Sequence, residues 1–566
     1  MLPFRSAVFI VIGSVLIGCR MPGEKQDFSK LTDDFVYGEL ALSPVAATSA
    51  GYHQHRGESL DEKLDDFGRS GISDQRAFCR DIRDKLQSIK LDSLSTEDRA
   101  DYDMIQDQIA LQLLELNHIQ SFRHNPTVYV ELVGNALFNP FVLEYAPKPK
   151  RYGQIIKRLQ RIPILIQQAH ENLVDAPAVC TRVAQQENDG NIELIDHTLR
   201  AAAPAELRGD YDRAAKPALE ALRNFNLFLK MDLAKQTSSW RLGKENYDQK
   251  FRLFLDVGKT PAQVLSEAEA ELTKVRDQMA KLAAPKTIPQ ALAEIAAKHP
   301  TPETYFAEAR RTLQEATDFV HSKGLLTLPP RANLQVIETP EFMRGIYAVG
   351  GFNAAPALEP QLGAFYWVTP IPKDWPQDRV DSKLREYNTY GLQELTVHEA
   401  MPGHYVQLEY ANDVQPNGRR LLRTIFGNGP YVEGWAVYAQ QMMSDEGYLN
   451  NDPALRLTFL KQMLRVISNS ILDIKLQTQD MTEPEAMDLM MNQAFQEKEE
   501  ATAKMQRAEL SSCQLPMYFV GWHGWLQARE EYKQRKGGAF KLSEFHERAL
   551  KESGVPLPVL SRLLAQ

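Results

Sequence analysis

Four long stretches of this chain repeat apolar residues at intervals of three and four, and two of them carry start and stop signals that belong to helices. "TPAQVLSEAEAELTKVRDQMAKLAAP" opens with Thr260 as N-cap and Pro261 at the first helical position, and Gln263 completes a capping box. "TPETYFAEARRTLQEATDFVHSKG" repeats the pattern: Thr301 caps, Pro302 follows and Gly324 is the stop. "DPALRLTFLKQMLRVISNSILDIKLQTQ" and "TEPEAMDLMMNQAFQEKEEATAKMQRAELSS" add two more helical runs. The expected fold class is therefore mainly α. One region differs. Between Ala332 and Pro370 Gly and Pro are frequent, and "LQVIE" and "AFYWVT" are short β-type runs, which predicts a small sheet inserted among helices around residues 332–370.

No 30- to 45-residue repeat and no Pro/Gly/Ser linker divides the chain. One helical unit over residues 31–566, in a single body or two lobes, is the expected organisation. The 566 residues are 43% hydrophobic and 25% charged, enough for a large core. The net charge of −9 is mild and spread, and no Lys/Arg block is interleaved with aromatics, which leaves a nucleic-acid role without support.

The N-terminus, "MLPFRSAVFIVIGSVLIGCR", places Arg5 before an uncharged apolar run from Ala7 to Ile17, then Leu16-Ile17-Gly18-Cys19, which matches a bacterial lipoprotein processing box. The run is shorter than the roughly 20 apolar residues of a spanning helix, which argues against an uncleaved anchor. Cleavage of residues 1–18 would leave Cys19 as the lipidated first residue and 19–30 as a tether. Arg20, not Asp, follows, so retention in the inner membrane is not signalled; in a Gram-negative cell the expected place is the periplasmic side of the outer membrane, held by the lipid on Cys19 only. Cys79, Cys180 and Cys513 form no CxxC pair and are expected to be small buried apolar residues, not a disulfide framework.

The chemistry concentrates in "TVHEAMPGHYVQ". A His-Glu-x-x-His zinc motif sets its histidines one turn apart. Here His398 and His404 are six residues apart, with Pro402 and Gly403 between them. On an ideal helix that spacing turns the second side chain about 120° away from the first. Pro402 removes a backbone donor and Gly403 tolerates unusual torsions, so the helix can break or bulge and bring His404 back beside His398. A carboxylate on the next helix would complete the set. Asn428-Gly429-Pro430 reads as a turn and Glu433 follows in the first turns of that helix. Two imidazoles, one carboxylate and an open position form a catalytic zinc set for one ion. Glu399 would act as general base. Each residue alone has an ordinary reading, His404 as a packed histidine and Glu433 as a solvated or N-terminal helix charge; the combination carries the argument.

"HEAMPGH" with "EGWAVYAQ" resembles the bacterial domain-of-unknown-function 885 family, as do the opening segment "ALSPVAATSAGYHQHRGESLDEKLDDFG" and the closing "FHERALKESGVPLPVLSRLL". The resemblance implies a large helical fold related to the glutamate-zincin metallopeptidases, with a recessed cleft that favours small substrates. It implies zinc ligands at His398, His404 and Glu433, with Glu399 catalytic. One departure stands out. Where that family has an Arg-Tyr pair followed by Pro-Gly-Gln, this chain has Arg507-Ala508 and then Ser512-Cys513-Gln514, which implies a shifted substrate preference or weakened activity.

"CQLPMYFVG" is similar to a segment of the helical peptidyl-dipeptidases in which a tyrosine stabilises the tetrahedral oxyanion, and Tyr518 holds that place. The alternative sets Tyr518 in an aromatic stripe with Phe519, Trp522 and Trp525. Arg507 is a candidate for binding a peptide carboxylate through its fork, or else a structural ion pair. Tyr366 is expected on an edge strand beside the metal, where a peptide could extend the sheet. "VGGF", Val349 to Phe352, reads as a flexible loop near the cleft. His523 and His546 are expected to be structural. No GxxxxGK[ST] or GxSxG pattern is present. The expected function is zinc-dependent hydrolysis of short peptides at the cell envelope. A binding or scaffold lipoprotein with a vestigial site, and a metal hydrolase of a non-peptide amide, are the alternatives.

Overall fold

The computed structural model describes residues 28–235, 238–331, 333–339, 344 and 350–566; the signal peptide, Cys19 and most of the tether lie outside them. Helices dominate, and the described residues hold only two small sheets. None of their helices is long and apolar enough to cross a membrane.

Local capping fixes helix starts where the sequence announces them. Helix α1 (Pro261–Ala283) begins at Thr260 with the full capping box. Helix α2 (Tyr305–Lys323) ends at Gly324, whose φ of +59° is left-handed. Its start falls later than Thr301: Thr301 closes a turn, its hydroxyl accepting from Thr304 N–H at 3.4 Å and its carbonyl from Tyr305 N–H at 2.9 Å.

The inserted sheet has three strands: β1 (Leu334–Glu338), β2 (Gly350–Asn353) and β3 (Ala364–Val368), in the order β1-β3-β2. β3 pairs parallel with β1 and antiparallel with β2. This corrects two expectations. The strand carrying Tyr366 is central, not an edge, because Gly350 to Phe352 pair with it as a strand instead of forming a loop. Gly350 is needed there for space, since a Cβ would sit 2.4 Å from the Trp367 carbonyl oxygen. Val349 lies outside the described residues.

After the sheet come α3 (Gln377–Glu386), α4 (Thr389–Glu399), α5 (His404–Ala411), α6 (Gly429–Asp445), α7 (Pro453–Thr478), α8 (Lys498–Leu510) and α9 (Met517–Lys536). The stretch from Lys383 to Asp413, which carries the motif, reads as one continuous helix by its apolar pattern but breaks twice. At the first break Asn388 caps α4 by accepting from Tyr390 N–H and Gly391 N–H, and Gly391 lets the turn close against the Glu386 carbonyl. The run from Thr482 to Ser512 also breaks, at Phe495 (φ +56°). Helix α8 restarts there through tertiary contacts: the buried Glu386 carboxylate accepts from Glu497 N–H at 3.1 Å, and Glu497 pairs with Arg385 at 3.0 Å.

Among the described residues two large apolar cores result, with a small third cluster at Val179, Cys180 and Val183. The larger joins the N-terminal helices to those from α1 onward. The second is built by helices between residues 127 and 233 and receives Trp367 from β3. Cys79, Cys180 and Cys513 are all buried and free, as expected.

Helices α6 and α9 meet backbone to backbone. A Cβ on Gly434 would lie 2.3 Å from the Gly521 carbonyl carbon, and one on Gly521 would lie 2.1 Å from the Pro430 carbonyl oxygen. No side chain can yield there. Gly434→Ala is expected to force the helices apart and destabilise the protein by about 3 kcal/mol, read as a lowered urea midpoint with little change in slope.

Candidate metal centre

The break in the motif is real and local. Helix α4 stops at Glu399, where Ala400 N–H and Met401 N–H both donate to the Thr396 carbonyl, at 2.9 and 3.0 Å. Helix α5 starts at His404. Between them the chain folds so tightly that a Cβ on Gly403 would lie 1.9 Å from the His398 carbonyl oxygen. Trp435 holds the turn: its indole N–H donates to the carbonyls of Pro402 (2.9 Å) and Gly403 (3.2 Å). Trp435 stands two residues after Glu433, so one helix supplies both the clamp and the carboxylate.

The expected three ligands converge. His398 Nε2 and His404 Nε2 each lie 3.4 Å from Glu433 Oε2, and one donor atom from each residue falls within 4.8 Å of the others. The imidazole planes are nearly perpendicular, at 86°. Ligands ~2.0–2.2 Å from a tetrahedral zinc are separated by ~3.3–3.6 Å, and the two 3.4 Å edges match that spacing. Glu433 Oε2 is buried without a hydrogen-bond partner despite the imidazoles beside it. Two ring nitrogens and one carboxylate oxygen therefore crowd a single buried point, and the set could hold a metal ion.

Charge favours a cation there. Burial would raise the Glu433 pKa, but the two imidazoles outweigh it and hold the carboxylate well below its usual range. His404 feels the same burial in the opposite sense, and Glu433 and Glu399 more than offset it, so its pKa is raised. Behind the ligands, His398 Nδ1 lies 3.4 Å from Gln440 Oε1, and Gln440 donates to the Glu394 carbonyl at 3.1 Å. That contact orients the ring. Sequence reasoning missed Gln440, although it lies two turns after Glu433 on the same helix face.

Glu399 is half-buried at the end of α4, next to His398. Tyr518, at the start of α9, stacks against His398 with ring centroids 6.2 Å apart. Its hydroxyl accepts from Arg507 Nη2 at 3.1 Å and from Gln514 Nε2 at 3.4 Å. Burial raises the Tyr518 pKa, with Arg507 opposing. Tyr518 precedes Trp522 and Trp525 by four and seven residues, so it shares their side of α9 and packs partly buried against the same core; its hydroxyl, held by Arg507 and Gln514, sets it apart from that aromatic stripe. Arg507 holds Tyr518 and has no carboxylate within salt-bridge distance among the described residues, which removes the ion-pair reading.

Tyr366 is not placed to receive a peptide. It is fully buried, its hydroxyl lies 3.2 Å from Thr396 Oγ1, and Thr396 in turn meets Thr312 Oγ1 at 2.6 Å. It props α4 from behind. His546 is structural, bonded to Tyr438 and to the Leu325 carbonyl, with burial pushing its pKa down to about 4. His523 packs on Phe519 and Trp522, away from the ligands.

Residues 44–564 match the family described as "Bacterial protein of unknown function (DUF885)". The chain belongs to that family. It is similar over 95% of its length to the whole of a "putative lipoprotein of unknown function" from Shewanella oneidensis, with 29% identity and a TM-score of 0.78. A protein of like description from Colwellia psychrerythraea shares the fold at 19% identity and a TM-score of 0.79, with 96% of this chain and 98% of that one covered. No curated protein matches the chain.

The Trp435 clamp gives a direct test. Trp435→Phe keeps an aromatic ring but removes the donor, leaves the Pro402 carbonyl without its partner and opens space where the indole packed. Zinc affinity is expected to fall by about 10- to 100-fold, measured by competition with a chromophoric chelator, and stability by about 1–3 kcal/mol.

Proposed function

We propose that this protein is a zinc-dependent peptidase acting on short peptides at the cell envelope. The observation that carries the reading is the convergence of His398, His404 and Glu433 beside Glu399 and Tyr518. His398, His404 and Glu433 would hold the zinc ion, which would supply a Lewis acid and lower the pKa of a nearby water toward neutrality. The residues of the chain divide the remaining work. Glu399, next to the first ligand and not one itself, takes a proton from the attacking water and passes it to the leaving amine. Tyr518, oriented by Arg507 and Gln514, donates its phenolic proton in a hydrogen bond to the developing oxyanion. Gln440 keeps the His398 ring turned toward the centre.

The placement at the envelope rests on the processing box at Cys19, which lies outside the described residues, and on the lipoprotein description of the similar Shewanella protein. The same site would also cleave a non-peptide amide, so a substrate survey should include both.

Two variants separate chemistry from binding. Glu399→Gln is expected to keep stoichiometric zinc while kcat falls by about 10²–10⁴; undiminished turnover would remove Glu399 from the mechanism. Tyr518→Phe is expected to lower kcat by about 10²–10³ with little change in KM. Stoichiometric zinc in the unaltered protein with no turnover of any peptide or amide would favour a binding protein instead.

A further inference from the structure

Helix α8 turns three charged residues to one side, Glu500, Lys504 and Arg507, at spacings of four and three. Arg465 reaches the same place from α7. The carboxylates nearby are already engaged. Glu500 accepts from Arg465 through one oxygen and from Tyr387 Oη (3.0 Å) through the other. Glu386 pairs with Lys461 at 2.7 Å. Glu433 is committed to the two imidazoles.

Lys504 is left over. It is only 4% exposed, and among the described residues no carboxylate lies within salt-bridge distance of it. Arg507, half-buried, likewise has no carboxylate at that distance and holds a neutral phenol. Glu500 already answers Arg465 and lies in the field of Lys383 and Lys504, so buried Lys504 beside Arg507 is left without a carboxylate of its own. Burial, followed by the two guanidiniums, holds the Lys504 pKa well below its usual value. Burying a cation without a partner is costly. An anion placed between Lys504 and Arg507 would relieve that cost and would lie beside Tyr518 and within the field of Glu433.

We propose that Lys504 and Arg507 form a receptor for a carboxylate carried by the substrate, with Arg507 supplying two parallel donors and Lys504 a point charge. The proposal rests on the peptidase reading and deepens it: the preferred substrates are peptides whose carboxylate lies near the bond to be cleaved. That carboxylate comes either from the chain terminus, which makes the enzyme an exopeptidase working from the C-terminal end, or from an acidic side chain.

Binding distinguishes these without relying on turnover. The zinc-loaded Glu399→Gln protein is titrated calorimetrically with acetyl-Ala-Ala-Ala, with its C-terminal amide, and with the amide carrying Glu in place of the last Ala. The free acid is expected to bind at least tenfold more tightly than the plain amide. Recovery of affinity by the Glu-containing amide identifies the side chain as a sufficient source; no recovery identifies the terminus. In a Lys504→Met background the gap should close, and in Lys504→Arg it should persist, which separates loss of charge from loss of fold. Equal affinities throughout, no measurable binding, or a gap that survives Lys504→Met would each overturn the proposal. Failure of the peptidase reading shows separately, as zinc-loaded unaltered protein that binds the free acid tightly and leaves it intact.

Discussion

The indole N–H of Trp435 holds the turn on which the whole site depends. A helix that stops at Glu399 and restarts at His404 leaves the Pro402 carbonyl with no place in either ladder, while the Gly403 carbonyl takes the first bond of α5 from Gln407 N–H at 3.1 Å. Stranding such a group in a buried place costs about 1–3 kcal/mol. Trp435 satisfies the Pro402 carbonyl at 2.9 Å and adds a second, longer contact to Gly403 at 3.2 Å. Because it follows Glu433 by two residues, forming the clamp also delivers the carboxylate. Gly434, between them, lets α9 approach closely enough to bring Tyr518 against His398. The Glu-Gly-Trp triplet is thus one device: candidate ligand, close approach and clamp.

That device explains why a six-residue histidine spacing works. The two rings come from different helices, so the 3.6-residue period no longer relates them. Their separation is set by the fold of Ala400 to Gly403, and Gly403 is required because any side chain would strike the His398 and Val397 carbonyls. Tyr366 and Thr312 press on Thr396 from the opposite side, which fixes the end of α4 where the break begins.

What was legible in the sequence divides along the range of the forces involved. Thr260 caps its helix with its own neighbours, so its signal could be read directly; Asn428, read only as part of a turn, caps α6 in the same local way. The break at Phe495 was not legible, because apolar periodicity continues through it and the deciding contact, Glu386 with Glu497 N–H, spans more than a hundred residues; the break at Asn388 carries a local cap, but the apolar pattern running past it hid that signal. The order of the strands was hidden for a related reason: Gly350 and Gly351 have the composition of a loop, and only pairing with β3 makes them a strand and moves Tyr366 to the centre. Among site residues, His398, Glu399, His404 and Glu433 were readable because a metal needs particular donors. Lys504 was not, since a charged residue on a polar helix ordinarily faces water and only its burial beside Arg465 sets it apart.

The exchange of Pro-Gly-Gln for Ser512-Cys513-Gln514 acquires a physical meaning in this light. Cys513 has φ of +64°, a left-handed conformation that glycine adopts freely and a side chain adopts at a cost of about 1–2 kcal/mol. Two contacts offset that cost. The thiol is fully buried, and Cys513 N–H donates at 3.1 Å to Asp473, which also accepts from Tyr247 at 2.6 Å. Asp473 is itself pushed up to about 6 by burial, and these donors oppose the rise. The turn is therefore kept although its glycine is gone. Gln514 still reaches the hydroxyl of Tyr518, and Tyr518 still stacks on a metal-ligand candidate. The substitution exchanges one way of holding a turn for another and leaves the arrangement of Arg507, Gln514 and Tyr518 in place, which argues against reading it as the mark of a decayed site.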